Sequence, residues 1–191
     1  AEQLHIAHII HAGDDSLGSD IKTITAIKNS RHCIAISDEM AIEYLRRYGR
    51  DFKVFRNGAS SEYYPLSVNI QPPQNEIRTI RYLGRLYPWL HFDSLRLLDL
   101  AVEACRTHGI HWQVELYGSA DLTELNSSGI LSSNISYKGS VGHKEGVDLL
   151  RSADLLVVPL TYEPAQVQSY KYSFPTKLSQ FLATGRPVLI L

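Results

Sequence analysis

Residues 169–191, SYKYSFPTKLSQFLATGRPVLIL, decide how this chain folds. A polar, aromatic loop leads into a helix over 175–184 that Pro175 opens. Gly185 stops that helix, and a fully apolar strand follows over 188–191. Proline in the first turn and glycine just past the last is the expected asymmetry of helix ends. The start of such a helix is a ready anion site, because its first backbone N–H groups are unpaired and the dipole favours negative charge. Lys177 sits in that first turn, where a cation opposes the dipole. An anion between the two would resolve the conflict. An ordinary surface lysine on a crossover helix fits the same residues, and taken alone they do not choose.

Working back from this helix, strand and helix alternate. LLVV at 155–158 is the most hydrophobic strand, terminated by Pro159, and a helix over 144–152 precedes it. The strand at 135–137 leads to Gly139, and WQVELY at 112–117 ends at Gly118-Ser119, with a short helix near 121–126 between them. IRYL at 80–83 runs into Gly84-Arg85 and a loop through Pro88 and Trp89 to Phe92. A long amphipathic helix follows, with Asp93 as its N-cap and Leu95, Leu98, Ala101, Val102 and Cys105 on its inner face. Residues 59–78, with Tyr63-Tyr64-Pro65 and Pro72-Pro73, show no periodicity and read as an interdomain linker. Upstream, 32–36 and 52–55 are strands joined by a helix that Ser37 caps, Asp38 and Glu39 acidify at its start, and Gly49 stops. A weaker helix covers 20–29 and a strand covers 4–11, followed by a polar loop that holds His11, Asp14 and Asp15. Strands alternating with helices imply parallel β/α/β units. The chain therefore reads as α/β, with one domain over 1–58, the linker over 59–78 and a second domain over 79–191.

Composition narrows the function classes. The 191 residues are 44% hydrophobic and 20% charged, the balance of a globular chain. A formal net charge of −1 argues against nucleic-acid binding through a broad basic surface. Cys33 and Cys105 stand far apart in apolar segments and fit free thiols in a reducing compartment; no Cys/His metal spacing exists, and no metal site is expected. His5, His8 and His11 alternate along a strand and need not converge. No run approaches the ~18 apolar residues of a membrane span, and no signal-peptide pattern opens the chain, so a cytoplasmic protein is expected. The chain enters an apolar segment early and stops inside an uncapped strand, so a longer parent protein is also expected.

Three successive strands end in glycine turns, at Gly84, Gly118 and Gly139. Glycine there lets backbone approach a ligand closely at the carboxyl edge of a parallel sheet, where open α/β sheets bind. The spacing is no dinucleotide fingerprint, no Walker A sequence and no nucleophile elbow.

Several of these pieces, in order, resemble one family. CIAISDEM at 33–40, VFRNG at 54–58 followed by Tyr64-Pro65, YLGR at 82–85, Tyr117-Gly118 and YKG at 137–139 are the first of them. ADLLVVP at 153–159 and PTKLSQFLATGRPV at 175–188 complete the set. Together they resemble the GT-B glycosyltransferases of group 1, family 4 type, over roughly 6–191. That resemblance implies two Rossmann-like domains, the end of an acceptor-side domain and most of a nucleotide-sugar donor domain. It implies that Arg85 and Lys177 are catalytic, the two cations facing the donor diphosphate in place of a metal. It implies a donor site built from Gly84, Arg85, Tyr117, Gly118, Ser119, Gly139, Tyr172, Lys177 and Gln180. The nucleotide-diphosphate sugar would be a co-substrate, with no further cofactor. The acceptor would be a saccharide or a lipid-linked saccharide, the latter calling for peripheral membrane association.

The departures are specific. The loop after Gly84-Arg85 reads LYPWLHF and lacks the lysine that many relatives carry there. The family's spaced pair of glutamates falls on Tyr172 and Gln180, with Glu163 as a loose substitute for the first. Trp89 and Phe92 would stack on a ligand or cover their own helix, and His143 reads as a solvated helix start. A glycosyl-transferring enzyme is the leading expectation, inactive as this piece alone. A non-catalytic nucleotide-sugar module and a nucleotide-sugar epimerase are the alternatives.

Overall fold

The computed structural model describes residues 9–12, 20–65 and 76–191. Three short sequence runs form the first three strands: β1 (Ile9–Ala12), β2 (His32–Ala35) and β3 (Lys53–Val54) pair in parallel in that spatial order. Between them lie α1 (Ile21–Asn29) and α2 (Asp38–Tyr48). Asp20 caps α1 by accepting from the N–H groups of Lys22 and Thr23. Ser37 caps α2, whose acidic first turn, basic last turn and left-handed Gly49 (φ 62°) all agree with a helix dipole and its stop. Ile27, Cys33, Ala35, Met40 and Tyr44 form the buried centre, edged by the aromatic contacts of Tyr44 with Tyr48 and Phe52. The expected strand over 52–55 is only two residues long, Lys53–Val54. Of the expected strand over 4–11, residues 4–8 lie outside the described residues, as do Asp14 and Asp15.

The chain divides into two units, Ala1–Asn57 with Val167–Pro175, and Gly58–Gln166 with Thr176–Leu191. The return of 167–175 to the first unit was not foreseen from the sequence, which reads those residues as part of one loop. Its anchor is local. Ser37 Oγ accepts the Met40 N–H at 3.1 Å and donates to the carbonyl of Tyr172 at 3.1 Å, while Tyr172 and Phe174 pack against the first core.

The second unit holds β4 (Ile77–Leu83), β5 (His111–Tyr117), β6 (Ile135–Gly139), β7 (Leu155–Val158) and β8 (Val188–Ile190), all parallel in the order β6-β5-β4-β7-β8. The chain builds outward from β4 to β6, then crosses back to β7 on the other side of β4. That reversal places the topological switch point at the carboxyl ends of β4 and β7. Helices α3 (Pro88–Thr107), α4 (Leu122–Ser127), α5 (His143–Arg151), α6 (Pro164–Tyr170) and α7 (Thr176–Ala183) connect the strands. Helix α3 packs on β5, α5 on β4 and α7 on β7. Gly146 lets α5 lie close over β4, since a Cβ there would stand 2.9 Å from Leu83 Cδ2. Asp154 ties β7 to the start of β4, accepting from Thr79 N–H at 2.7 Å.

Three boundaries move. Helix α3 starts at Pro88, not Asp93, because proline at its first position needs no N–H partner. Asp93 lies inside the helix, accepting from Thr161 Oγ1 at 3.0 Å. The linker expected over 59–78 is only partly one: Ser61–Tyr63 forms a 3-10 turn whose Tyr63, 6% exposed, joins the second core, and β4 begins at Ile77. Residues 66–75 lie outside the described residues.

The cap at Ser37 is the first place to test this arrangement. Ser37→Ala removes both hydrogen bonds of the hydroxyl, and the first unit should lose about 1–2 kcal/mol in denaturant unfolding. Faster proteolysis of 167–175 is expected in the same variant.

Candidate functional site

The carboxyl ends of β4, β5 and β6 are laced together by backbone. Gly84 N–H donates to Tyr117 O at 2.9 Å, Leu86 N–H to Ser119 O at 2.9 Å, and Gly118 N–H to Gly139 O at 2.9 Å. Tyr137 Oη donates to Gly118 O at 2.6 Å. Gly118 has φ 121°, a conformation that L side chains rarely adopt, and a Cβ on it would overlap the carbonyl of Gly84. Gly84 is constrained from its other side: a Cβ there would overlap Lys177 Cε and lie 2.7 Å from Tyr82 Oη. The turns border a cleft of about 320 Å³ lined by Tyr63, Gly84, Arg85, Gly118, Ser119 and the 140–143 turn. A larger dent of about 610 Å³ runs along α5 alone and gathers no strand ends. The cleft at the carboxyl ends of β4, β5 and β6 is therefore the site to weigh.

Arg85 is the permanently charged side chain of the cleft's lining, and Lys177 lies against Gly84 without belonging to that lining. Arg85 is exposed, its guanidinium 5.0 Å from the Tyr87 ring centroid. Lys177, in the first turn of α7, lays its alkyl chain across Gly84 and is half-buried. Burial holds its ammonium below the ordinary lysine range. Among the described residues it has no carboxylate or hydrogen-bond partner. Beneath the turn sits His91, 5% exposed. Its Nδ1 accepts the Tyr87 N–H at 2.9 Å, which leaves the ring proton on Nε2, 3.5 Å from Tyr82 Oη. Tyr82 in turn donates to Arg85 O at 2.9 Å. Burial, and secondarily the Lys177 charge, push the His91 pKa down to about 4. The imidazole is neutral at pH 7.

The sequence model for "Glycosyl transferases group 1" matches residues 77–191, more than half of the chain. The chain belongs to this family. Solved glycosyltransferases of low identity share the fold. Sucrose-phosphate synthase from Thermosynechococcus elongatus is 18% identical, with TM-score 0.62, over 99% of this chain and 51% of that one. A TarM mutant from S. aureus, in complex with Fondaparinux, alpha-GlcNAc-glycerol and UDP, is 14% identical with TM-score 0.66, over 97% of this chain and 36% of that one. The pneumococcal O-GlcNAc transferase GtfA, in complex with UDP and GlcNAc, is 16% identical with TM-score 0.58, over 98% and 37%. No curated protein sequence matches the chain. The chain thus spans about half, or less, of the length of these structures.

The group 1 glycosyl transferase motifs place the expected site residues unevenly. All but Tyr172 lie in the second unit. Tyr117 takes part through its carbonyl, because its hydroxyl donates to Glu115 Oε2 at 3.1 Å within the Arg81–Glu115 ion pair. Gly139 ends β6 with φ 84°. Gln180 is half-buried and stands three residues after Lys177, on the same face of α7. Tyr172 is held in the first unit, its ring 5.7 Å from the Arg47 guanidinium and 5.2 Å from Lys171 Nζ. Phe92 is 5% exposed in the second core and stacks on nothing external, whereas Trp89 is 50% exposed beside Tyr87. His143 is more than a solvated helix start, with Nε2 2.8 Å from Glu62 Oε1 and its ring against Tyr63. Glu163 is exposed, its N–H donating to Thr161 Oγ1. The buried His91–Tyr82 pair was not foreseen; nothing in LYPWLHF marks a histidine for burial. Among the described residues no group of three His, Cys, Asp or Glu side chains is placed to hold a metal.

Gly118→Ala should cost several kcal/mol, because strained φ and a backbone overlap add; urea unfolding measures it. His91 sets an acid response. Its folded pKa of about 4 lies below the ordinary 6.5, so the unfolded chain binds the extra proton first. Its stabilising contribution is whole above pH 6.5 and declines towards pH 4. The loss is on the order of 3 kcal/mol. Melting curves of His91→Phe should fall less steeply across that window than those of the parent.

Proposed function

We propose that the second unit binds the diphosphate of a nucleotide-diphosphate sugar at the Gly84–Gly118 turns, and that the whole protein transfers the sugar to a hydroxyl acceptor. Lys177 carries this assignment. A half-buried ammonium, held across a glycine turn and without a partner among the described residues, is an electrostatic vacancy that an anion fills. Burial alone lowers its pKa, and a bound diphosphate would raise it again by supplying the missing counter-charge. Arg85 stands on the same turn and can engage phosphate oxygens bidentately. The positive end of the α7 dipole adds a third source of positive potential.

In the reaction, the bond between the anomeric carbon and the diphosphate oxygen breaks, and the leaving diphosphate keeps the electron pair. The acceptor hydroxyl forms the new bond and releases its proton. Lys177 and Arg85 stabilise the charge that grows on the leaving oxygens, and they do so without a metal. UDP is the first nucleotide to try, because the TarM and GtfA structures are complexes with UDP. The acceptor is a saccharide or a lipid-linked saccharide, as in polysaccharide synthesis, and the lipid-linked case would bring the protein to a membrane surface from the cytoplasm. Among the described residues, no helix is long and apolar enough to cross a membrane.

One observation favours a second reading. Tyr172 and Gln180 occupy both positions where the family's glutamates are expected, so a nucleotide-sugar sensor that has lost turnover remains the competitor. Titrating UDP, ADP and GDP into the 191-residue chain should find one that binds, with Arg85→Ala and Lys177→Ala each weakening it about tenfold, the scale of a charge-assisted hydrogen bond. Unchanged affinity in both variants would sink the site. Donor hydrolysis or transfer by the full-length protein supports the enzyme; binding without turnover supports the sensor; an isomerised donor without acceptor supports an epimerase.

A further inference from the structure

We propose that His91 and Tyr82 are positioning residues for the diphosphate, a buried pair that sets the Gly84–Arg85 turn from beneath. The proposal rests on the donor site assigned above. The geometry is a short relay. Tyr87 N–H donates to His91 Nδ1 at 2.9 Å, His91 Nε2 faces Tyr82 Oη at 3.5 Å, and Tyr82 donates to Arg85 O at 2.9 Å. Both side chains are buried, at 5% and 3% exposure, so water cannot replace the bonds. The pair therefore fixes both ends of the turn: the carbonyl of Arg85 at its centre and the N–H of Tyr87 where it enters α3. Tyr82 Oη also lies 2.7 Å from where a Cβ of Gly84 would stand, on the glycine that Lys177 crosses.

Two consequences separate positioning from mere packing. Burial keeps the Tyr82 phenol protonated, so its hydroxyl remains a donor to Arg85 O. The neutral imidazole keeps Nδ1 free to accept from the backbone. Neither group reaches the cleft surface, so neither touches the ligand. Their effect must pass through the direction of the Arg85 and Leu86 backbone and the seat of Lys177. A displacement of the turn should weaken the diphosphate contacts while leaving the nucleoside contacts alone.

His91→Phe and Tyr82→Phe keep aromatic volume and remove the relay; His91→Asn retains an acceptor for Tyr87 N–H. In the 191-residue chain, both phenylalanine variants should lower nucleoside diphosphate affinity about tenfold, with nucleoside affinity unchanged. The double variant should be no weaker than either single one, because the two act as one unit. His91→Asn should recover part of the loss. Diphosphate affinity unchanged in folded variants, or nucleoside affinity falling in parallel, would overturn the proposal. Amide hydrogen exchange of Arg85, Leu86 and Tyr87 needs no ligand and keeps the two claims apart. Faster exchange there in a chain that binds no nucleotide would uphold the relay and end the donor-site assignment. Intact binding with unchanged exchange would do the reverse.

Discussion

The contact between Gly118 and Gly84 is the constraint on which the site depends. Gly118 sits at φ 121° with the Gly84 carbonyl where a side chain would be. Two strand ends can then meet backbone to backbone, and the N–H of Gly84, Leu86 and Gly118 are each spent on a neighbouring turn's carbonyl. Those bonds lock three turns into one rim. The rim runs along the carboxyl ends of β6, β5 and β4, and the return of β7 on the far side of β4 places the start of α7 over Gly84.

Electrostatics then follows from burial. Lysine in the first turn of a helix opposes the dipole, typically by a few tenths to 1 kcal/mol. Lys177 also loses hydration against Gly84 and the Tyr82–His91 pair. His91 bears the other side of that arrangement, since its own positive form is disfavoured by burial and by Lys177. Two cations under one turn would repel, and the histidine, ordinarily near 6.5, is the one that yields. The site thus keeps its ammonium and a neutral ring beneath it.

Much of this was legible in the sequence because glycine, proline and apolar runs act locally. The strand ends at Gly84, Gly118 and Gly139, the proline-opened helix before Gly185 and the cap at Ser37 all appear where the residues place them. What escaped depends on partners distant in sequence. The return of 167–175 to the first unit is held by a hydroxyl 135 residues away, which no local pattern announces. Tyr172, aligned by motif with a donor-site glutamate, packs under Arg47 in the first unit. Helix α3 began five residues early because aromatic Trp89 and Phe92 hid a proline start. His91 escaped for the same reason, since its burial depends on β4 and α7 rather than on its own neighbours.

Gln180 sharpens what the cleft can do. A carboxylate on that face of α7, three residues from Lys177, would supply the counter-charge from within the protein. The lysine would then be paired, its pKa restored, and part of its attraction for a ligand cancelled. An amide leaves the ammonium partially desolvated and uncompensated, so the incoming anion becomes its counter-ion. On the proposed reading, stabilisation then falls on the leaving-group side, with Lys177 and Arg85. On that reading, such a site would bind diphosphate whether or not it turns over, and how firmly the turn beneath those cations is held would set its strength.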